Sequence, residues 1–191
     1  MGITKNEWGA KKTRMAKKIR ETQSRSNARG LIKLVVNGQH CRLEIGDGPG
    51  KVSVTDTLSF TLRETLGLTG TKLSCDGGAC GGCTIIMSGK AVLSCMLLTV
   101  ECSGSEITTI EGLRNPKTGE LDPLQQAFID HTAFQCGYCT PGMIMSAKAL
   151  LNENPLPTED DVKEALSGNF CRCISHYQVI DAVMDASRRG R

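Results

Sequence analysis

The nine residues Cys75 to Cys83, CDGGACGGC, constrain this chain more than any others. They place three thiols and four glycines on one short stretch. Glycine offers no side chain to a core and is entropically costly to fix. A segment this bare therefore serves a ligand that the backbone must approach closely. Cys75, Cys80 and Cys83, with Cys95 downstream, reproduce the spacing of a plant-type [2Fe-2S] site, C-x4-C-x2-C…C. The backbone N–H groups of Gly77, Gly78, Gly81 and Gly82 are expected to point at the cluster, and Asp76 to face solvent. The competing reading is a four-cysteine zinc site, which more often joins two separate CxxC-type pairs.

A second constellation lies further on, Cys136-x2-Cys139 and Cys171-x-Cys173. Each pair ends where a helix is predicted to begin. Unpaired N–H donors and the positive end of the helix dipole favour an anionic ligand there. Zinc and a second [2Fe-2S] cluster both fit this spacing. The two remaining cysteines, Cys41 and Cys102, lie in strand-like segments and read as small buried hydrophobes. His40, His131 and His176 do not form a set, and Met143, Met145 and Met184 read as bundle core.

Around these sites the pattern changes character once. Residues 31–108 read mostly as strand. LIKLVV and HCRLEI flank the hairpin signal Asn37-Gly38, and TIIM and AVLSC flank Ser88-Gly89-Lys90. Between the hairpins, Leu58, Leu62 and Leu66 recur as on a helix, with Gly67 as its stop. Residues 109–122 read as a linker. Beyond it, Asp122-Pro123 and Thr140-Pro141 open helices. Thr158 to Asp161 resembles a capping box, and Ser175 can cap a last helix bearing Val179, Ile180, Val183 and Ala186. Four short helices over 123–191 make a compact bundle. The fold class is α+β.

Residues 1–30 carry nine Lys/Arg against two Glu, a local charge of +7, whereas the remaining residues sum to −4. With only Ile3, Trp8, Met15 and Ile19 as large apolar residues, this stretch has no core of its own and reads as a disordered or peripheral arm; the sharper reading is an arm that lies on an acidic partner surface. No aromatic-rich sheet or recognition motif follows it, so nucleic acid is not the expected partner. No apolar run approaches the length of a membrane span, and a cysteine-rich chain without a secretory signal is expected in the reducing cytoplasm.

Taken together, CDGGACGGCTIIMSGKAVLSC, QQAFIDHTAFQCGYCTPGMIMSAKALL and GNFCRC resemble the small iron–sulfur subunit of the molybdenum hydroxylase (xanthine oxidase) family, over residues 31 to 187. The resemblance implies a plant-type ferredoxin β-grasp domain followed by a four-helix domain, each holding one [2Fe-2S] cluster. It implies cluster one on Cys75, Cys80, Cys83 and Cys95, and cluster two on Cys136, Cys139, Cys171 and Cys173. It places Gln135 and Cys173 beside the molybdopterin cofactor of a large subunit, and the plant-type cluster nearer the FAD of a medium subunit or another acceptor. The implied assembly is a dimer of heterotrimers. The family usually continues Thr-Gly-Tyr after CRC; this chain has Ile174-Ser175-His176.

Two function classes follow. One is the electron-transfer subunit of a multi-subunit molybdenum hydroxylase, an oxidoreductase whose substrate chemistry lies in another chain. No catalytic acid, base and nucleophile set is expected here. The other is a free-standing two-cluster ferredoxin or redox sensor.

Overall fold

The computed structural model of the chain describes residues 30–189. The basic arm up to residue 29, and with it the expected contact to an acidic partner, lies outside the described residues. Strands β1 (Leu31–Val36) and β2 (Gln39–Glu44) form the first hairpin. Asn37 and Gly38 close it with φ of 52° and 77°. Two successive left-handed residues match the strand twist, which is why Asn-Gly is favoured there. Strands β3 (Thr84–Met87) and β4 (Lys90–Leu93) form the second hairpin, and β5 (Glu106–Thr108) joins the two. The sheet order is β2-β1-β5-β3-β4; β5 runs parallel to β1 and antiparallel to β3.

Alternation along β1 turns Ile32, Leu34 and Val36 inward, where they are at most 4% exposed. Each such side chain contributes about 1.5–3 kcal/mol by leaving water. They meet Leu43, Val52, Leu58, Leu62, Ile85, Cys102 and Ile107. Leu58 and Leu62 arrive from α1 (Leu58–Phe60), which runs directly into a π-helical turn over Thr61–Thr65. The Leu66 amide donates to the Thr61 carbonyl at 2.9 Å, closing the wider turn. This segment is therefore shorter and wider than the leucine spacing alone predicts. Gly67 ends it with φ of 71°. Cys102 is buried as expected but sits in a 3-10 turn, Thr99–Cys102, rather than a strand.

Four helices follow: α2 (Pro123–Asp130), α3 (Thr140–Glu153), α4 (Glu159–Leu166) and α5 (His176–Arg189). Asp122 caps α2, accepting the Leu124 amide at 3.0 Å, while Gln125 accepts the Asp122 amide in return. Lys148 of α3 reaches the same Asp122 carboxylate at 2.6 Å. Thr158 and Asp161 form the matching capping box on α4. Leu124, Phe128, Met143, Val162, Val179 and Val183 lie at the centre of the apolar core these helices share.

Two expectations change where the helices meet the sheet. Met145 does not belong to the helical core; it packs with Ala149 against Ile86 of β3. One side of α3 thus faces the sheet, so its apolar residues divide between two neighbours. The stretch expected as a linker is packed at its start. Thr109 is buried and tied to Asn37 by bonds of 2.8 and 2.9 Å. Ile110, in a 3-10 turn over Ile110–Gly112, and Leu113 pack against the helical core.

Candidate metal centres

The approach to the CDGGACGGC loop is tied down by Arg63, whose guanidinium donates to the Thr69 and Thr71 carbonyls at 3.0 and 2.8 Å. The chain then turns at Asp76, exposed with φ of 48°. Behind it, the amides of Gly77 and Ala79 donate to the Cys75 sulfur at 3.5 and 3.3 Å. These donors, the Gly77 amide first, lower the exposed Cys75 thiol to about 7. Cys75 is also within hydrogen-bonding reach of the Cys80 thiol.

Cys83 and Cys95 come together for a different reason. The pairing of Thr84 with Leu93 across β3 and β4 sets the residues just beyond them side by side. Ser94 reinforces the closure, its hydroxyl donating to the Cys83 carbonyl at 2.8 Å. Both thiols are buried, 3% and 6% exposed, and in contact. Burial is the main reason the Cys95 thiol is pushed up to about 11. The Gly78 amide opposes this by donating to it.

The second set is built from two turns far apart in sequence. Cys136 and Cys139 lie in the connection that leads into α3, with Cys139 as its cap residue. Cys171 and Cys173 lie in the turn before α5. The sulfur atoms of Cys173 and Cys136 are 3.7 Å apart. Cys139 and Cys171 form the other contact. Burial pushes the Cys139 thiol up to about 12. Burial also acts on Cys171, but the Ile174 and Cys173 amides, each 3.4 Å from its sulfur, outweigh it and lower that thiol. The Cys173 thiol is raised, chiefly by its contact with Cys136.

Eight thiols thus gather as four pairs, two pairs to a set. Two irons bridged by sulfide take two thiolates each, and paired thiols fit that demand. All ten cysteines are free. Burial raises the Cys95 and Cys139 thiols, and a bound metal would favour their deprotonation by supplying positive charge.

A cavity of about 430 Å³ joins the two sets, lined by all four cysteines of the second set together with Cys80, Gly82 and Tyr138. At its wall the Phe170 amide donates to the Cys80 carbonyl at 3.0 Å. The Tyr138 hydroxyl donates to the Leu73 carbonyl. Gln135 and Cys173 are both exposed. In the unusual Ile174-Ser175-His176, Ile174 packs on the helical core, Ser175 accepts the Tyr177 amide at 3.3 Å, and His176 opens α5 from an exposed position.

Sequence reasoning assigned all four loop glycines to one task, and the structure divides them. Gly77 and Gly78 direct their amides at thiols. Gly81 and Gly82 instead abut the first turn of α3, where a Cβ on Gly142 would collide with them. Asn169, buried beside Gly81, was also missed; its only sequence signal is its place in GNF just ahead of Cys171.

Residues 109–184 match the model of a [2Fe-2S] binding domain. The nicotine 6-hydroxylase small subunit of Paenarthrobacter nicotinovorans is 50% identical over 135 residues, covering 71% of this chain and 80% of the relative. The aldehyde oxidoreductase iron-sulfur-binding subunit PaoA of Escherichia coli K12 is 42% identical over 171 residues, covering 82% and 71%. Among solved structures, quinoline 2-oxidoreductase from Pseudomonas putida 86 superimposes with a TM-score of 0.75 at 41% identity, over 85% of this chain and 98% of that one. These relatives are parts of oxidoreductases, and among the described residues no helix is long and apolar enough to cross a membrane. The chain belongs to the small iron–sulfur subunits of the molybdenum hydroxylase family.

Proposed function

We propose that this chain carries electrons between a molybdopterin site in a large partner subunit and an acceptor, FAD in a medium subunit or another group. Two [2Fe-2S] clusters would do this. One would sit on Cys75, Cys80, Cys83 and Cys95, the other on Cys136, Cys139, Cys171 and Cys173. The observation that carries the reading is the gathering of these eight thiols in pairs, two pairs to each set. The domain layout proposed with it is a ferredoxin-like β-grasp unit over 31–108 and a helical [2Fe-2S] unit over 123–191. The order β2-β1-β5-β3-β4 with a parallel central pair supports the first. Names of relatives as subunits speak against the free-standing ferredoxin. The proposed assembly is a dimer of heterotrimers in the cytoplasm.

Each bound cluster would accept and release one electron. The chain's own residues set the route. Exposed Gln135 and Cys173 would present the helical set to the large subunit. From Cys171 the path runs back one residue to Phe170, crosses its 3.0 Å hydrogen bond to the Cys80 carbonyl, and enters the loop of the first set. No stretch of solvent need be crossed. Amides at Cys75, Cys95 and Cys171 stabilise negative charge on sulfur and so tune the potential of each set.

Chemical analysis of anaerobically purified complex tests the metal content: two [2Fe-2S] clusters require four iron and four sulfide per chain. One zinc with two iron would overturn the second set. Rapid reduction by substrate tests the order. In Cys173→Ser complexes that assemble, neither cluster should be reduced quickly; in Cys80→Ser complexes the helical cluster should still be reduced while turnover collapses. Fast reduction of the plant-type cluster in the Cys173→Ser complex would overturn the order.

A further inference from the structure

We propose that Gly142 and Asn169 are positioning residues that fix the separation of the two thiol sets by gripping the backbone carbonyl of Gly81. The inference rests on the reading that each set carries a cluster.

Gly81 lies inside the first thiol loop, between Cys80 and Cys83, and is buried. Its carbonyl oxygen accepts three hydrogen bonds. Two come from its own loop, the Thr84 amide at 3.2 Å and the Thr84 hydroxyl at 2.8 Å. The third comes from the helical side, the Asn169 side-chain amide at 3.1 Å. Asn169 is only 4% exposed and stands two residues before Cys171. Gly142, three residues after Cys139, is buried in the first turn of α3. Its Cα rests on the same carbonyl, and a Cβ there would overlap the Gly81 oxygen and carbon and the Gly82 Cα. A Cβ on Gly81 would in turn strike Asn169 and the Gly168 carbonyl. One carbonyl in the first thiol loop is thus held by residues flanking both halves of the second set.

The other main contact between sheet and helices is apolar, Ile86 against Met145 and Ala149. Such packing is non-directional and tolerates small slides. The bond from Asn169 does not, because a slide would strand its buried side-chain amide away from water. The grip at Gly81 therefore sets the spacing, and with it the 3.0 Å hydrogen bond from Phe170 to Cys80 next to it.

Paramagnetic resonance of the fully reduced complex reads this spacing directly, through the magnetic splitting between two nearby reduced clusters. The variants are Gly142→Ala, Asn169→Ala and, as a control on the apolar contact, Met145→Leu. Wild type and Met145→Leu are expected to show two cluster signals with the same splitting. Gly142→Ala and Asn169→Ala should keep both signals while the splitting narrows or is lost, and electron passage between the clusters should slow. Where Gly142→Ala does not load, Asn169→Ala decides, since it removes atoms rather than adding them. Unchanged splitting in loaded Asn169→Ala overturns the proposal, as does loss of a cluster in that variant, which would mark Asn169 as a support of one site. Wild type with a single cluster overturns the two-cluster reading itself, a failure that shows before any variant is made.

Discussion

The two thiol sets are assembled by opposite means. In the first, three cysteines share one nine-residue loop and the fourth is delivered by a hairpin. Backbone pairing of β3 with β4 brings Cys83 and Cys95 together. In the second, two turns more than thirty residues apart meet only because α3 and α5 dock on a common core. The first is a local device reinforced by the sheet; the second is a product of tertiary structure. In charge the two sets are alike: each holds one thiol lowered by backbone amides, Cys75 to about 7 and Cys171, and one raised chiefly by burial, Cys95 to about 11 and Cys139 to about 12. Without a metal, the second set has less local structure.

Metal removal is therefore the sharpest way to break the comparison, and has the largest expected effect. Structural metal binding supplies on the order of 10 kcal/mol to small thiolate sites. Stripping both sets should open the turns around Cys136–Cys139 and Cys171–Cys173, with fast amide exchange at Cys173 and Ile174. The β3–β4 hairpin should stay protected at its paired amides. Faster exchange across β3 and β4 than at the helical turns would show that the hairpin, too, depends on metal.

The same contrast explains what was legible in the sequence. Local signals translated directly. Asn37-Gly38 became a hairpin turn, Asp122-Pro123 a capped helix start and Thr158 to Asp161 a capping box. Each depends on residues within a few positions of one another. The features that were missed depend on chain segments meeting from a distance. Met145 has the spacing of a bundle residue, and only the docking of α3 on the sheet turns it toward Ile86. Gly81 and Gly142 are ordinary glycines until a carbonyl and a helix turn are pressed together. The π-helical turn at Thr61–Thr65 is anchored by a hydroxyl contact of 2.7 Å between Thr61 and Thr99, across 38 residues. The gathering of the first set could be expected from spacing alone. For the second, spacing left zinc and iron–sulfur open, and the iron–sulfur reading came from the family resemblance.

A pair of core substitutions asks how independent the two regions are. Phe128, 1% exposed, sits at the centre of the helical core, and Leu62, fully buried, in the sheet core. Removing Phe128 to Ala should cost about 3–5 kcal/mol, and Leu62 to Ala about 2–5 kcal/mol. The two cores share no buried residue, so the costs should add within about 0.5 kcal/mol in the double variant. Denaturant unfolding of the metal-loaded protein, with each single variant alongside, measures this. A large departure from additivity would mean that the joint at Ile86 and Met145 couples the cores, and that the contrast drawn between them is overstated.

The smallest effect lies at the far end of α5. Arg189 donates to both Asp130 and Asp185, and His131 meets Asp185 at 3.0 Å. Together these contacts clasp the last turn of α5 to the end of α2. The Arg189 hydrogen bond, followed by His131, lowers the Asp185 carboxyl below its ordinary value; Gln126, followed by Arg189, lowers Asp130. A carboxyl lowered by folding stabilises the folded chain above its ordinary pKa and loses that contribution as pH falls through the lowered folded value. The clasp should therefore hold from neutral pH down to about 4 and release below it. These groups are partly solvent-exposed, so the loss is local and weakened further by salt. Amide exchange along Met184 to Arg189 should quicken as the pH drops below about 4, once corrected for the intrinsic pH dependence of exchange. Asp185→Asn should show the quickened exchange already at neutral pH and change little on acidification. If the wild-type helix end frays equally at pH 7 and pH 3, the clasp contributes nothing, and α5 is held by Val179, Val183 and Ala186 alone.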